Sequence, residues 1–298
     1  MATVNFNIPA FQSPIISANA DDVTTTPTIG VKPYNYPSVA LVPRPRGSGI
    51  QPVLSNSIIS PTTPFTRNSL DTIRGALSDY TTGAGLTSSK PDPNESHAAV
   101  LVPLCNVDGV PGVLLEVRGN LRSHPGEVSF PGGKVDEADS SFLAAALREV
   151  HEEVGVPADQ VVVLGHPGPP ERSLKGLRVW PYVGFVYPPG TASPDQGPDA
   201  PLPSLNVDSL MLSRAEVAAV FHLPLSAFTS QTRLQPGLYR SSRPYWTIDV
   251  SDLVPQRVRI RGDANHDLVK GVGSEKLEVW GLTGWYLSLV MKALGICI

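Results

Sequence analysis

The segment from Phe130 to Val156, FPGGKVDEADSSFLAAALREVHEEVGV, constrains this chain more than any other. A glycine pair, Gly132-Gly133, precedes a run with helical spacing. Leu143, Leu147, Val150 and Val154 make an apolar stripe suited to burial. Asp139 or Ser140 is placed to cap the helix, and Gly155, with Pro157 shortly after, is placed to end it. Glu149, Glu152 and Glu153 crowd together, because side chains three and four apart on a helix are neighbours. Like charges so placed repel one another. A divalent cation among them reverses the sign, since hard cations take oxygen ligands. The stripe centres away from the glutamates, so the helix is expected to pack inward and hold metal outward. From the glutamates alone, an ordinary solvated acidic face accounts for the pattern equally well.

The full spelling separates these readings. Arg148-Glu149-Val150-His151-Glu152-Glu153-Val154-Gly155-Val156 resembles the second half of the Nudix box, REUxEExGU with U apolar, and Gly133 resembles its opening glycine. The interval from Gly133 to Arg148 is one residue longer than the standard box, and the box's intervening glutamate falls on Asp139 or Ser140. This longer form, with GGKVD ahead, resembles the coenzyme A diphosphatase (pyrophosphatase) branch of the superfamily. So does the block upstream, from Leu114-Leu115-Glu116-Val117-Arg118 through Leu121-Arg122-Ser123-His124-Pro125-Gly126-Glu127-Val128-Ser129-Phe130-Pro131-Gly132-Gly133. It is similar to that branch's LLTxRSxxLRxHxGEVxFPGG. Glu116 stands where the pattern prefers Thr, Gly119 where it prefers Ser, and the gap from Arg118 to Leu121 is one residue shorter.

The resemblance implies an α/β (α+β) fold, the Nudix α/β/α sandwich with a mixed β-sheet. It also implies metal-dependent hydrolysis of the pyrophosphate linkage of coenzyme A and its thioesters. The products would be 3′,5′-ADP and 4′-phosphopantetheine or its acyl form. Mg²⁺ or Mn²⁺ would neutralise the phosphates, orient them and lower the pKa of water. Glu149 and Glu153, one turn apart, are the principal expected ligands, and Glu152 is a third ligand or the base. Arg148 is expected to orient the carboxylates through a bidentate ion pair. Gly132 and Gly133 let the backbone approach the site without side-chain obstruction. Arg118, Arg122 and Lys134 are candidates for the extra phosphate of coenzyme A. Glu171 is either a further ligand or a surface charge, and His124 and His151 are expected to be structural. ADP-ribose or NADH as substrate, or a binding module without catalysis, are the rival readings.

Composition narrows the partners. The net charge is −4, with 17% charged residues. A protein gripping nucleic acid through phosphates is normally basic, so a small-molecule substrate fits better. Two cysteines, Cys105 and Cys297, exclude a disulfide framework and suit a reducing compartment. Cys105 reads as a buried strand residue. No apolar run is long enough to span a bilayer, and no secretory signal opens the sequence. The expected location is intracellular, cytoplasmic or organellar. Family resemblance admits a peroxisomal one, although the terminus is no SKL-type signal.

Residues 1–67, rich in Pro, Ser and Thr, read as a disordered extension, and residues 68–298 as the Nudix domain. Asn68 or Ser69 is expected to cap a helix over Leu70–Tyr80. Strands are expected over Ala98–Leu104, Gly112–Arg118, Val161–Leu164, Arg178–Tyr187, Val217–Leu223, Tyr239–Asp249, Arg257–Arg261 and Leu277–Trp280. Pro181 marks an edge or a bulge, and residues 188–203 an inserted loop. Thr283–Leu294 reads as the last helix.

Overall fold

The computed structural model describes residues 58–83, 95–119, 126–191, 197–255 and 276–296. Residues 1–57, Arg122, His124 and the strand expected over Arg257–Arg261 lie outside the described residues.

The first helix, α1 (Arg67–Gly83), buries Leu70, Ile73 and Leu77 as its spacing requires. Its cap is Thr66, two or three residues earlier than expected. The Thr66 N–H donates to Ser69 Oγ at 2.7 Å and the Ser69 N–H to Thr66 Oγ1 at 3.1 Å, a reciprocal capping arrangement. The packed chain reaches back further still. Ile59 and Phe65 are buried, and the N–H groups of Ile58 and Ile59 bond to the carbonyl of Leu294.

Strands β1 (His97–Val107) and β2 (Val110–Arg118) form a hairpin through Asp108-Gly109, both at positive φ. That turn matches the twist of paired strands. The hairpin holds only at its closed end. Pairing of β1 with β2 runs from Leu104 to Val107. Nearer its start β1 pairs instead with β4 (Gly132–Lys134), while the end of β2 pairs with β3 (Val128–Ser129). The two long strands therefore splay, and the short ones wedge between them.

After α2 (Phe142–Val154) come β5 (Val161–Gly165), β6 (Glu171–Arg172), β7 (Arg178–Val186) and β8 (Val217–Pro224). Strand β7 lies parallel to β1, and every other pairing in this sheet is antiparallel, so the sheet is mixed. Pro181 does not mark an edge. Residues Arg178 and Val179 pair with β6 and Val183 to Val186 with β5, which leaves a gap at Pro181. Its carbonyl, 2.9 Å from His166 Nδ1, faces that gap, so its missing N–H does too. The irregularity falls on β5, whose register shifts between Val163 and Gly165.

The stretch Tyr239–Asp249 is not one strand. β9 (Leu234–Tyr239) turns at Arg240-Ser241, both at positive φ, into β10 (Arg243–Asp249), which pairs with β11 (Glu278–Val279). No glycine announced that turn. Helix α3 (Gly281–Ala293) closes the fold.

Two cores flank the large sheet. Alternation sends Ala99, Leu101, Cys105 and Leu114 to one face, where they meet Ala145, Ala146, Val150 and Val154 of α2. It sends Val102, Leu104, Leu115 and Phe185 to the other, against α1, α3 and the small sheet. This is the helix–sheet–helix sandwich the sequence implied. Among the described residues, no helix is long and apolar enough to cross a membrane.

Asn106 ties the outlying segments to β1. Fully buried, it accepts from the Phe65 N–H at 2.8 Å and donates to the carbonyls of Phe65 (3.1 Å) and Leu202 (3.0 Å). Asn106→Ala strands these backbone groups away from water. A loss of roughly 2–4 kcal/mol in urea unfolding is expected, and an unchanged midpoint would refute the clamp.

Candidate functional site

Helix α2 begins at Ser141, not at Asp139 or Ser140. The Ser141 side chain accepts from the Ala144 N–H at 3.0 Å. Asp139 is engaged elsewhere, as described below. Gly155 ends the helix at φ 73°, its N–H on the carbonyl of His151. The buried face is Ala145, Ala146, Val150 and Val154, with Leu143 and Leu147 only half-buried. Glu153 lies on that buried face, 4% exposed. The expectation that all three glutamates face outward is thus corrected. The reason is what opposes the helix there: glycine backbone, with no side chain to exclude a carboxylate.

The Gly132 N–H donates to Glu153 Oε2 at 2.7 Å. Gly132 sits at φ 149°, and a Cβ there would lie 2.4 Å from the Ala99 carbonyl oxygen. A Cβ on Gly133 would lie 2.4–2.6 Å from the Glu149 carboxylate atoms. Gly132 therefore needs glycine, and a side chain at Gly133 would displace the Glu149 carboxylate.

Arg148 gathers the outer carboxylates. It grips Asp139 with two bonds of 3.0 Å, reaches Glu149 Oε1 at 3.0 Å and Glu152 Oε2 at 2.9 Å, and donates to the Lys134 carbonyl at 3.1 Å. The bidentate partner is Asp139, whose pKa the Arg148 guanidinium holds below the usual carboxyl range. Glu152 is exposed and tied to Arg148, so it stands apart from the buried pair.

Sequence reasoning assigned no role to Glu116 on β2, which with Glu153 is one of two buried carboxylates among the described residues. Strand alternation places it with Leu114 on the face that α2 covers. Ser129 Oγ, directly across in β3, donates to Glu116 Oε1 at 2.9 Å, and Arg118 Nη1 lies 3.7 Å from the same oxygen. Glu116 Oε2 is buried with no hydrogen-bond partner among the described residues. Burial raises the pKa of both Glu116 and Glu153, and the Glu116 carboxylate pushes Glu153 up further. Glu149 is raised as well, first by burial. The only hint was the acidic residue in place of Thr within an otherwise apolar strand.

A match to the NUDIX domain model spans residues 95–234. The chain is also 34% identical over 207 residues to an uncharacterized Nudix hydrolase NudL of Escherichia coli O7:K1, covering 68% of this chain and 85% of that protein. The chain belongs to the Nudix hydrolase family. A NudL protein of Enterobacter sp. is 42% identical over 144 residues, 48% of this Nudix chain, which spans 65% of that relative's length. The NUDIX domain of Shewanella oneidensis NrtR, solved with ADP ribose, aligns at 21% identity and a TM-score of 0.33, over 48% of this chain and 82% of that one. Likeness at that level adds nothing to the assignment.

The Nudix glycines border an open cleft whose lining includes Val100, Arg118, Ser129, Phe130, Gly132 and Tyr286. Of these, Arg118, Ser129 and Gly132 are the groups that hold Glu116 and Glu153. Arg118 is thus in the cleft but turned toward Glu116, and Lys134 is exposed at the rim of β4. Glu171 is not a free surface charge. It pairs with Arg243, which lies over the rings of Tyr239 and Trp285. His151 is exposed on α2. Among the described residues, no three His, Cys, Asp or Glu side chains already converge as a cation cage.

The raised carboxyl pKa values fix the sign of a pH effect. Folded protein keeps protons on Glu116 and Glu153 that the unfolded chain, titrating near 4.5, has lost. The stability they contribute is complete below 4.5 and is lost as pH rises through their shifted values. His166 and His222, lowered by burial, act oppositely but only below their ordinary 6.5. In chelator, stability is therefore expected to fall between about pH 6.5 and about pH 9, and Glu153→Gln to flatten the fall. Urea midpoints across that range check this, and a wild-type stability that rises instead would contradict it.

Proposed function

We propose that this chain is a Mg²⁺- or Mn²⁺-dependent diphosphatase of coenzyme A and its thioesters. The observation that supports it most is the meeting of Glu149 and Glu153 with the Gly132-Gly133 backbone beside an open cleft. The donor set fits a hard cation, because like charges are held close and one buried carboxylate oxygen has no partner. A cation held by Glu149 and Glu153 would neutralise the diphosphate and make water a better nucleophile.

The chain's own groups divide the remaining work. Arg148 holds Glu149 in place and takes no substrate. Glu152, exposed and ion-paired with Arg148, is the third ligand or accepts the water's proton. Arg118, which lines the cleft, would turn from Glu116 to meet a phosphate, and Lys134, exposed on β4, would meet another. Water adds to one phosphorus, and the bond from that phosphorus to the bridging oxygen breaks. The products are 3′,5′-ADP and 4′-phosphopantetheine or its acyl form. The support for coenzyme A is the LLE-to-FPGG block, which forms β2, β3 and β4 around the site.

The test is a panel of coenzyme A, acetyl-coenzyme A, ADP-ribose and NADH at saturating Mg²⁺ or Mn²⁺. The coenzyme A compounds should give the highest kcat/KM. Preference for ADP-ribose would reject that substrate, and cation binding without turnover of any would make the chain a binding module. Glu153→Gln should lower kcat/KM by about 100-fold or more at unchanged circular dichroism. Full activity in that variant would remove the metal assignment.

A further inference from the structure

Glu116 sits apart from the helix that supplies the other acidic groups, yet its charge acts on Glu149 and Glu153. Period-two alternation directs it to the α2 side of the sheet, and its cross-strand partner Ser129 lies three residues before Gly132, whose N–H holds Glu153. The side chain is fully buried, on a strand paired along both edges. Its two oxygens are unequal. Oε1 takes the Ser129 hydroxyl and the near approach of Arg118, while Oε2 has nothing.

A buried oxygen of this kind is costly in either protonation state. Ionised, it lacks a donor, and protonated, it lacks an acceptor, so burial without a partner is penalised both ways. The neighbouring groups do not relieve it, since Glu149 and Glu153 are acceptors of the same sign. Arg118 is 3.7 Å away and on the other oxygen. A hard cation shared with Glu149 and Glu153 is the ligand chemistry that completes the set.

We infer that Glu116, through Oε2, is a direct ligand of the divalent cation, so that the site draws carboxylates from strand β2 as well as from α2. Ser129 then acts as a positioning residue, fixing Oε1 and so aiming Oε2. This rests on the cation-dependent reading of the site and adds a residue to it.

The test is Mn²⁺ binding to the full chain, followed by calorimetry and by electron paramagnetic resonance of the free ion, without substrate. Wild type is compared with Glu116→Gln, Glu116→Asp, Glu149→Gln and Glu153→Gln. Glu116→Gln keeps the size and an acceptor for Ser129 but removes the charge, and Glu116→Asp keeps the charge but draws the oxygen back. Each should weaken Mn²⁺ binding by about tenfold or more at unchanged circular dichroism. Ser129→Ala should give a smaller loss. Wild-type affinity in both Glu116 variants, with binding lost in Glu149→Gln and Glu153→Gln, would overturn the inference and leave the cation site standing. No Mn²⁺ binding by the wild type would overturn the reading on which it rests.

Discussion

A carboxylate set against a glycine N–H in a nearly closed space, with two more carboxylates beside it, is the arrangement on which this structure turns. Moving an ion out of water costs several kcal/mol even after local relaxation. One backbone N–H at 2.7 Å on Glu153 offsets only part of that. Proton uptake is the other remedy open to the chain alone, and the raised pKa values of Glu116, Glu149 and Glu153 express it. The folded protein thus holds a standing demand for positive charge at this site.

Distribution of the arginines sharpens this. Arg148 is committed to Asp139, Glu149 and Glu152, all on the outer side of α2 or before it. Arg118 lies at the end of β2 and reaches Glu116 only at 3.7 Å. Glu153, the deepest carboxylate of the helix, therefore has no close guanidinium among the contacts that hold it. Its position is fixed by backbone instead, which requires the Gly132-Gly133 pair and the splaying of β1 from β2 that admits β3 and β4 between them.

Much of this was legible in the sequence, because it depends on local spacing. The glycine pair, the acidic helix, its Gly155 stop, the Asp108-Gly109 hairpin and the apolar runs of β1, β2 and β7 all follow from period and turn chemistry. Glu171 was open in the sequence and was decided by Arg243, distant in the chain. The cap of α1 was missed because Thr66 and Ser69 cap each other, and that of α2 because Arg148 claims Asp139. The β9–β10 turn was hidden because Arg240 and Ser241 adopt positive φ without glycine. Glu116 was visible as a residue but not as part of the site. Only the register of β2 with β3, and the choice of which face α2 covers, bring it beside Glu153.

The far wall of the cleft comes from the other end of the chain. Leu282, Thr283 and Tyr286 of α3 line it, and the Tyr286 hydroxyl donates to the Val179 carbonyl and accepts from the Glu171 N–H, each at 2.8 Å. A ligand there meets apolar and aromatic groups on one side and the groups that hold Glu116 and Glu153 on the other. An anion arriving alone would face several carboxylates against one half-buried guanidinium. Arriving with a divalent cation, the same anion adds little net charge, and the cation meets the Glu116 oxygen that lacks a partner. A cation and an anion bound there together would therefore stabilise each other's binding by the same amount, whichever enters first.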